Sequence, residues 1–374
     1  MSNTCLKLLF LIHDLDQGGA EKVLVNLVNN MDAAKFNITV MALFGGGVNE
    51  QFLAPHIRLI VCHKKAFRGN SHVMKLFSPG QLYRHYIKEH YDIVISYLEG
   101  PSARIISGCD DPSIKKISWI HIEQKTQKNA ARSFRSVKEA LECYNRFDLH
   151  IGVSETVKQD FLSVIPVSVP MKVLYNTNES EMILESAQKS VEPNLFSDDC
   201  INLVGVGKLL PNKGFDRMMR IVKRLVDQKY SIHLYILGSG ASQHELENYI
   251  EANNLQKNIT LLGYQTNPYK YVAKADLFVC ASHAEGFSTA ATEALIVGTP
   301  VVTTLVSGMQ EMLGENNEYG VITENNEDAL YEGIKRLLDD PTMLAHYKEK
   351  AIERGKSFST ESTVKAVEDM LLSM

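Results

Sequence analysis

The sequence lacks any long hydrophobic run. No window approaches 18 apolar residues, so no segment reads as a membrane span. The apolar start at 6–12 contains Lys7, runs into His13-Asp14 and has no small-residue cleavage site, so it does not read as a secretory leader. Any membrane contact must then be peripheral. Cysteine is sparse. Cys5, Cys62, Cys109, Cys143, Cys200 and Cys280 stand far apart, with no CxxC and no Cys/His cluster at zinc spacing. This argues against a disulfide framework and a structural metal, and fits reduced thiols in a cytoplasmic protein. Internal repeats and low-complexity stretches are absent. So is a strong charge of one sign: the net of −5 is too mild to suggest nucleic acid. Apolar residues make 45% and charged residues 22%, which excludes a disordered or fibrous chain. What remains is a soluble globular chain of 374 residues, long enough for two or three domains.

The charge is uneven. Residues 1–178 carry 21 Lys/Arg against 16 Asp/Glu, and the remainder 18 against 28. The excess concentrates in 58–146, with 16 basic and 8 acidic residues. Two domains with different partners would produce this asymmetry. Short apolar segments alternate with amphipathic ones. Candidate strands lie at 6–12, 38–43, 57–62, 92–97, 116–120, 149–153 and 172–175. After a polar break at Glu192, Pro193 and Ser197-Asp198-Asp199, a second series follows at 201–206, 232–237, 259–262, 277–280 and 301–303. Buried strands alternating with helices mean parallel sheets covered on both faces. The expected fold class is α/β, with two Rossmann-like domains and a cleft between them.

Three strand-to-helix loops carry possible chemistry. Gln17-Gly18-Gly19-Ala20-Glu21 follows the first strand and opens a helix. Its glycines admit close backbone approach and its free amides attract anions, although every such domain needs a tight turn here. Gly205-Val206-Gly207-Lys208-Leu209-Leu210-Pro211-Asn212-Lys213-Gly214-Phe215 sets two lysines beside glycines, either as a diphosphate clamp or as a solvated loop. Neither it nor Gly238-Ser239-Gly240 completes the dinucleotide fingerprint GxGxxG. Glu285-Gly286-Phe287-Ser288-Thr289-Ala290-Ala291-Thr292-Glu293 follows the strand at 277–280. A helix beginning at Glu285 would set the two glutamates about 12 Å apart along its axis. That is about the span from a sugar to the ribose of a nucleotide sugar, with amides between to face the diphosphate.

All three loops fall at the carboxyl ends of strands, where open parallel sheets bind ligands. Taken in order along nearly the whole chain, they resemble the retaining glycosyltransferases of family 4, of the type that builds bacterial surface polysaccharides. The resemblance rests on Gly-Gly-Ala-Glu at 18–21, Lys208 and Lys213 in Gly-Lys-Leu-x4-Gly, Gly263 before the helix ending Ala275-Asp276, and Glu285-x7-Glu293. It implies the GT-B fold. The N-terminal, acceptor-binding domain would cover 1–178 and the C-terminal, nucleotide-sugar-binding domain 179–359, with a last helix at 360–374 that packs on either. It implies that Glu285 contacts hydroxyls of the donor sugar, that Glu293 holds the ribose, and that Gly286, Phe287 and Ser288 approach the sugar and phosphates. Lys208 and Lys213 would neutralise the leaving diphosphate, Gly18 and Gly19 would close over it, and His121 would contact the donor sugar. The family carries arginine where Lys208 stands, and lysine supplies charge without the bidentate fork. It also has a longer glycine-rich turn where this chain has Gly308-Met309-Gln310-Glu311.

The chemistry follows from charge. Breaking the sugar–diphosphate bond puts negative charge on the leaving phosphate, which the lysines and helix amides would stabilise with no metal and no other cofactor. Asp14-Leu15-Asp16 is a literal DxD, yet it precedes the glycine turn and is not expected to hold a metal. The resemblance favours a same-face route, in which the leaving phosphate helps deprotonate the acceptor.

For the acceptor, Lys125, Lys128, Arg132 and Arg135 are expected on one stripe of a helix, with Ala130, Phe134, Val137 and Leu141 opposite. Upstream, Lys64, Lys65, Arg68 and Lys75 interleave with Phe67, Met74 and Phe77. Such a face suits anionic membrane or a lipid-diphosphate acceptor, and equally a solvated surface. Glu99 and Arg104 flank the turn where an acceptor would enter. The reading is a cytoplasmic enzyme, peripheral on the inner face of the membrane, with a UDP-sugar donor and a glycan or lipid-linked acceptor. A nucleotide-sugar epimerase of the same fold and a non-catalytic partner subunit are the alternatives.

Overall fold

The computed structural model describes residues 5–65, 73–193, 195–197 and 199–374. Phe67, Arg68 and Asp198 lie outside them. The chain divides into two compact units, one of Met1–Thr177 with Glu361–Met374 and one of Asn178–Thr360. The last helix, Thr360–Leu372, therefore lies almost wholly in the first unit.

The first unit holds a parallel sheet of β1 (Leu6–Ile12), β2 (Phe36–Phe44), β3 (Arg58–His63), β4 (Ile93–Ser96), β5 (Lys115–Ile120), β6 (Leu149–Gly152) and β7 (Met171–Val173), in the order β3-β2-β1-β4-β5-β6-β7. The second unit holds β8 (Ile201–Val206), β9 (Ile232–Leu237), β10 (Ile259–Gly263), β11 (Leu277–Cys280), β12 (Val301–Thr304) and β13 (Val321–Thr323), in the order β10-β9-β8-β11-β12-β13. The strands are continuous apolar runs because both sheet faces are covered: Leu8 to Ile12 are all 0% exposed. The helix Phe215–Asp227 buries Phe215, Met218, Met219, Ile221, Val222 and Leu225 as one stripe. β13 is missing from the sequence-based series. Its apolar residues Val321 and Ile322 stand between Gly320 and Thr323-Glu324, too short a run to show, whereas the equally short β7 runs on into Leu174-Tyr175.

Strand order reverses at β1/β4 in the first unit and at β8/β11 in the second. These switch points open crevices at the strands' carboxyl ends. The loops after β1 and β4, and those after β8 and β11, are the ones that carry the motifs.

The last helix completes the first unit's core with Val364, Val367, Met370 and Leu371, each under 7% exposed. Its Glu368 accepts from the Asp32 backbone N–H at 2.7 Å and pairs with Lys35 at 3.3 Å. At that helix's first residue, Thr360 Oγ1 accepts from the Ser180 N–H at 3.0 Å.

The expected basic helix does not form as one piece. Lys125 has a φ of 55° and stands ahead of a short helix, Gln127–Ala130. A separate helix, Val137–Tyr144, follows. Thr126 caps the first, accepting from the Asn129 N–H, and Ser136 caps the second, accepting from the Glu139 N–H. A hydroxyl cap restarts the helix where the spacing of charges alone would run on. Among the described residues, no helix is long and apolar enough to cross a membrane.

Candidate active site

In the second unit the site is built from the β8 and β11 loops. Lys213 ends a short turn, Pro211–Lys213, and Gly214 follows with a φ of 67°. A Cβ on Gly214 would fall 2.0 Å from the Ala281 carbonyl oxygen, so glycine at 214 is dictated by backbone shape and by close approach to the chain just after β11. Lys213 Nζ donates to Glu285 Oε1 at 2.6 Å, and Ser282 Oγ donates to the same oxygen at 2.6 Å. Both charged side chains are mostly covered, at 27% and 12% exposed. Burial works against the Lys213 charge. The charge and hydrogen bond of Glu285 outweigh it and hold Lys213 above the ordinary lysine pKa. Lys208 is half-buried and makes no ion pair among the described residues, so its charge is available to a ligand.

Glu285 is not on the following helix. That helix is Thr289–Ile296, with Ser288 as N-cap accepting from the Ala291 N–H at 3.3 Å. The spacing expected from helical rise therefore does not apply. Glu285 sits three residues before the cap, while Glu293, 6% exposed, sits inside the helix. Phe287 packs edge-on against Phe358, ring centroids 6.2 Å apart. Gly308, at φ 77°, lies against this loop: a Cβ there would meet the Phe287 ring at 2.7 Å and the Gly286 carbonyl at 3.0 Å. Its place in the chain, open on sequence grounds, is thereby explained. Gly263 ends β10 at φ 66°, and a Cβ there would meet open space. The helix that follows it is Tyr269–Val272, which stops short of Ala275-Asp276.

In the first unit, His121 follows β5 directly. Its ring lies 4.7 Å from that of Tyr97, and its Nε2 is buried with no hydrogen-bond partner. Burial pushes its pKa down to about 3, against a hydrogen bond to the Tyr97 backbone, so the ring is neutral. Its backbone N–H donates to Glu99 Oε2 at 3.1 Å. Burial raises Glu99 to about 6, against hydrogen bonds from His121, its own backbone and Gln124; the nearby Glu21 charge adds to the rise. Glu21 folds back over the glycine turn, so that a Cβ on Gly18 would fall 1.6 Å from its carboxylate. Gly18 is the N-cap of the helix Gly19–Asn30 and supplies no side-chain cap, which leaves that end's amides to other partners. Asp14 pairs with His13 at 2.6 Å and accepts from the Asp16 N–H at 3.0 Å. Among the described residues, no three His, Cys, Asp or Glu side chains form a metal site.

Arg104, an acceptor candidate on sequence grounds, is turned into the fold. It is 1% exposed, bonds Glu139 through Nε (3.2 Å) and Nη2 (2.8 Å), and donates to the Met74 and Phe77 carbonyls at 2.8 Å each. Arg135 is likewise spent, on the carbonyls of Lys75 and Leu76 and on Glu139. Lys125 reaches Glu123 at 3.5 Å. Lys128 and Arg132 remain exposed. Two residues of the second site escape a motif-based reading, Arg217 and Ser282. The signal for Arg217 was its spacing with Ile221 and Leu225, which put an arginine on a buried stripe.

Residues 17–177 match the family described as Glycosyltransferase Family 4, and residues 187–354 match Glycosyl transferases group 1. An N-acetylgalactosamine-N,N'-diacetylbacillosaminyl-diphospho-undecaprenol 4-alpha-N-acetylgalactosaminyltransferase from Campylobacter jejuni is 29% identical over 94% of this chain and 95% of its own. A poly(ribitol-phosphate) alpha-N-acetylglucosaminyltransferase from Staphylococcus aureus is 25% identical over 66% of this chain and 49% of its own. Among solved structures, HepE of Anabaena in complex with UDP and glucose superposes with a TM-score of 0.79 at 19% identity, covering 99% of this chain and 100% of that one.

Proposed function

Because the chain belongs to glycosyltransferase family 4 and has the GT-B fold, we propose that it transfers a sugar from a UDP-linked donor, with retention and without a metal, to a glycan acceptor carried on a lipid diphosphate. The observation that carries this reading is the contact of Lys213 with Glu285 at the β8/β11 switch point. The one is suited to a phosphate and the other to sugar hydroxyls. Where they touch is where the bond between sugar and diphosphate would lie. Lys208, uncommitted to any carboxylate, would take the remaining diphosphate charge. Gly286, Phe287 and Ser288 would bring their amides to sugar and phosphate. Glu293 would accept from the ribose diol. In the first unit, Gly18 and Gly19 would let the backbone come close to the phosphates, and neutral His121 would orient a sugar hydroxyl.

In this scheme negative charge grows on the leaving phosphate as the bond breaks. Fixed positive groups stabilise it without reorganising, and the phosphate oxygen takes the proton of the attacking acceptor hydroxyl. The donor base is supported by the UDP bound in HepE, and the acceptor class by the undecaprenol diphosphate in the Campylobacter enzyme's name. The first unit's basic excess supports a peripheral seat on the inner face of the membrane. So do Val73, Leu76 and Phe77, exposed at 46%, 76% and 47% beside Lys75.

The test is thermal stabilisation by UDP, GDP and ADP in EDTA, with Glu293→Ala as control. A ligand at 100 times its dissociation constant adds about 2.7 kcal/mol. A shift confined to UDP and lost in the variant is expected. No shift with any of the three overturns the proposal.

A further inference from the structure

Arg217 stands in the first turn of Phe215–Asp227 and is 3% exposed. A cation at a helix N-terminus opposes the amide dipoles, and a buried one loses its hydration. Among the described residues, no carboxylate lies within ion-pair distance of it, and burial holds its pKa below the ordinary arginine value. What surrounds the guanidinium is neutral oxygen. Nε donates to the Ala281 carbonyl at 2.6 Å. Nη2 donates to the Ser282 carbonyl at 2.7 Å and to Asn325 Oδ1 at 3.0 Å.

These contacts close around three consecutive residues. Thr304 Oγ1 also donates to the Ser282 carbonyl at 2.7 Å. Asn325 Nδ2 donates to the His283 carbonyl at 3.2 Å, and the His283 N–H donates to the Asn212 carbonyl at 2.8 Å. The carbonyls of 281, 282 and 283 are thus all drawn onto fixed donors. The Ser282 hydroxyl is left to meet Glu285.

We propose that Arg217 is a positioning residue for Glu285: by gripping the carbonyls that end β11, it fixes Ser282 and thereby the aim of the Glu285 carboxylate at the donor sugar. The proposal rests on the reading of Glu285 as the sugar-contacting residue. Arg217 itself touches no substrate in this scheme. Methionine would fill its space without gripping a carbonyl. Lysine would keep the charge but lose the planar fork that spans both carbonyls.

The experiment is titration calorimetry of wild type, R217M, R217K and E285Q with UDP and with UDP-glucose, UDP-N-acetylglucosamine and UDP-N-acetylgalactosamine. The measure is the preference for the tightest UDP-sugar over UDP. Both Arg217 variants and E285Q are expected to lose that preference at least tenfold, with UDP affinity held within about threefold. Equal weakening of UDP and UDP-sugar by R217M overturns the proposal, because it marks a merely structural role. So does a preference kept in R217M and lost in E285Q. A preference kept in E285Q overturns the reading of Glu285 instead. Amide exchange of the ligand-free protein then decides on positioning alone: residues 281–288 should exchange at least tenfold faster in R217M, with 218–227 unchanged. Unchanged exchange at 281–288 overturns the proposal whatever the ligand data. Should R217M fail to fold, N325A, which removes one bond to Arg217 and one to His283, carries the same measurements, with about a threefold loss expected.

Discussion

Arg104 in the first unit and Arg217 in the second are both buried, and both grip backbone carbonyls beside a strand-end loop. They differ in what answers the charge. Glu139 meets Arg104 through two hydrogen bonds, so that charge has a carboxylate directly against it. Neutral oxygens alone ring Arg217, so its charge persists inside the second unit, four residues from Lys213. The first arrangement is an anchor. The second holds the loop after β11 through neutral acceptors, with no countercharge bonded to it. Two buried arginines of like exposure thus have different meanings, and only the partner list tells them apart.

The strongest way to break this contrast is to make Arg104 resemble Arg217. Glu139→Gln removes the countercharge from a buried pair and should cost about 3–5 kcal/mol, measured by urea unfolding. A loss near zero would mean that the pair is not what holds that corner. Next is the ligand side. Glu293→Ala should weaken UDP by about 10- to 100-fold, the worth of a hydrogen bond to a charged group, read by calorimetry. Unchanged affinity would leave the second unit without its ribose contact.

Acidification acts on the first unit through groups of opposite sign. In the first unit His150 is 0% exposed, packed among Tyr144, Phe147 and Phe161, and burial pushes it down to about 4. Below its ordinary 6.5 the unfolded chain takes a proton that the folded ring refuses, so stability falls from about pH 6.5 toward 4. Between pH 6.5 and 5 the expected loss is about 2 kcal/mol, and His150→Phe should flatten it. His121 acts in the same direction. Glu99 acts oppositely: raised to about 6, it adds stability as the pH falls from there toward 4.5. Urea unfolding at pH 7 and 5 checks the net slope.

The glycines give a smaller contrast. Gly214→Ala places a side chain at φ 67° against the backbone of Ala281, and the left-handed conformation alone costs about 1–2 kcal/mol. Gly18→Ala meets only the movable end of Glu21 at an ordinary φ of −128°, so its cost should be about 0.5 kcal/mol or less. Paired melting curves decide; a reversed order would break the account of both turns. The smallest effect is Lys208→Arg. The added fork should tighten UDP only a few-fold, about 0.5–1 kcal/mol, in the same calorimetric titration.

Much of the fold is legible in the sequence because parallel strands covered on both faces are continuous apolar runs. β1, β8, β9 and β11 begin and end where those runs do. β13 is not legible: Val321 and Ile322 are cut off by Gly320 and Glu324, while the equally short β7 shows because Leu174 and Tyr175 prolong its run. The basic stripe misleads for a different reason. Periodicity reports a face but not where a helix restarts, and Ser136 restarts it. For the site, motifs point to Lys213 and Glu285 separately. Their mutual contact depends on two loops 72 residues apart meeting at a switch point, which no local pattern encodes. Arg104 shows the converse. A charged residue beside a turn invites a ligand role, and only its burial reveals that its bonds are already spent.

The return of the chain to the first unit at Glu361 has a consequence for biosynthesis. Residues 178–360 can be packed before Val364, Val367, Met370 and Leu371 exist, whereas the sheet translated first waits for them. Order of synthesis is therefore not order of completion. A fragment stopping at Thr177 would leave open the surface that those four side chains seal, and would expose to aggregation the older half of the molecule rather than the newer.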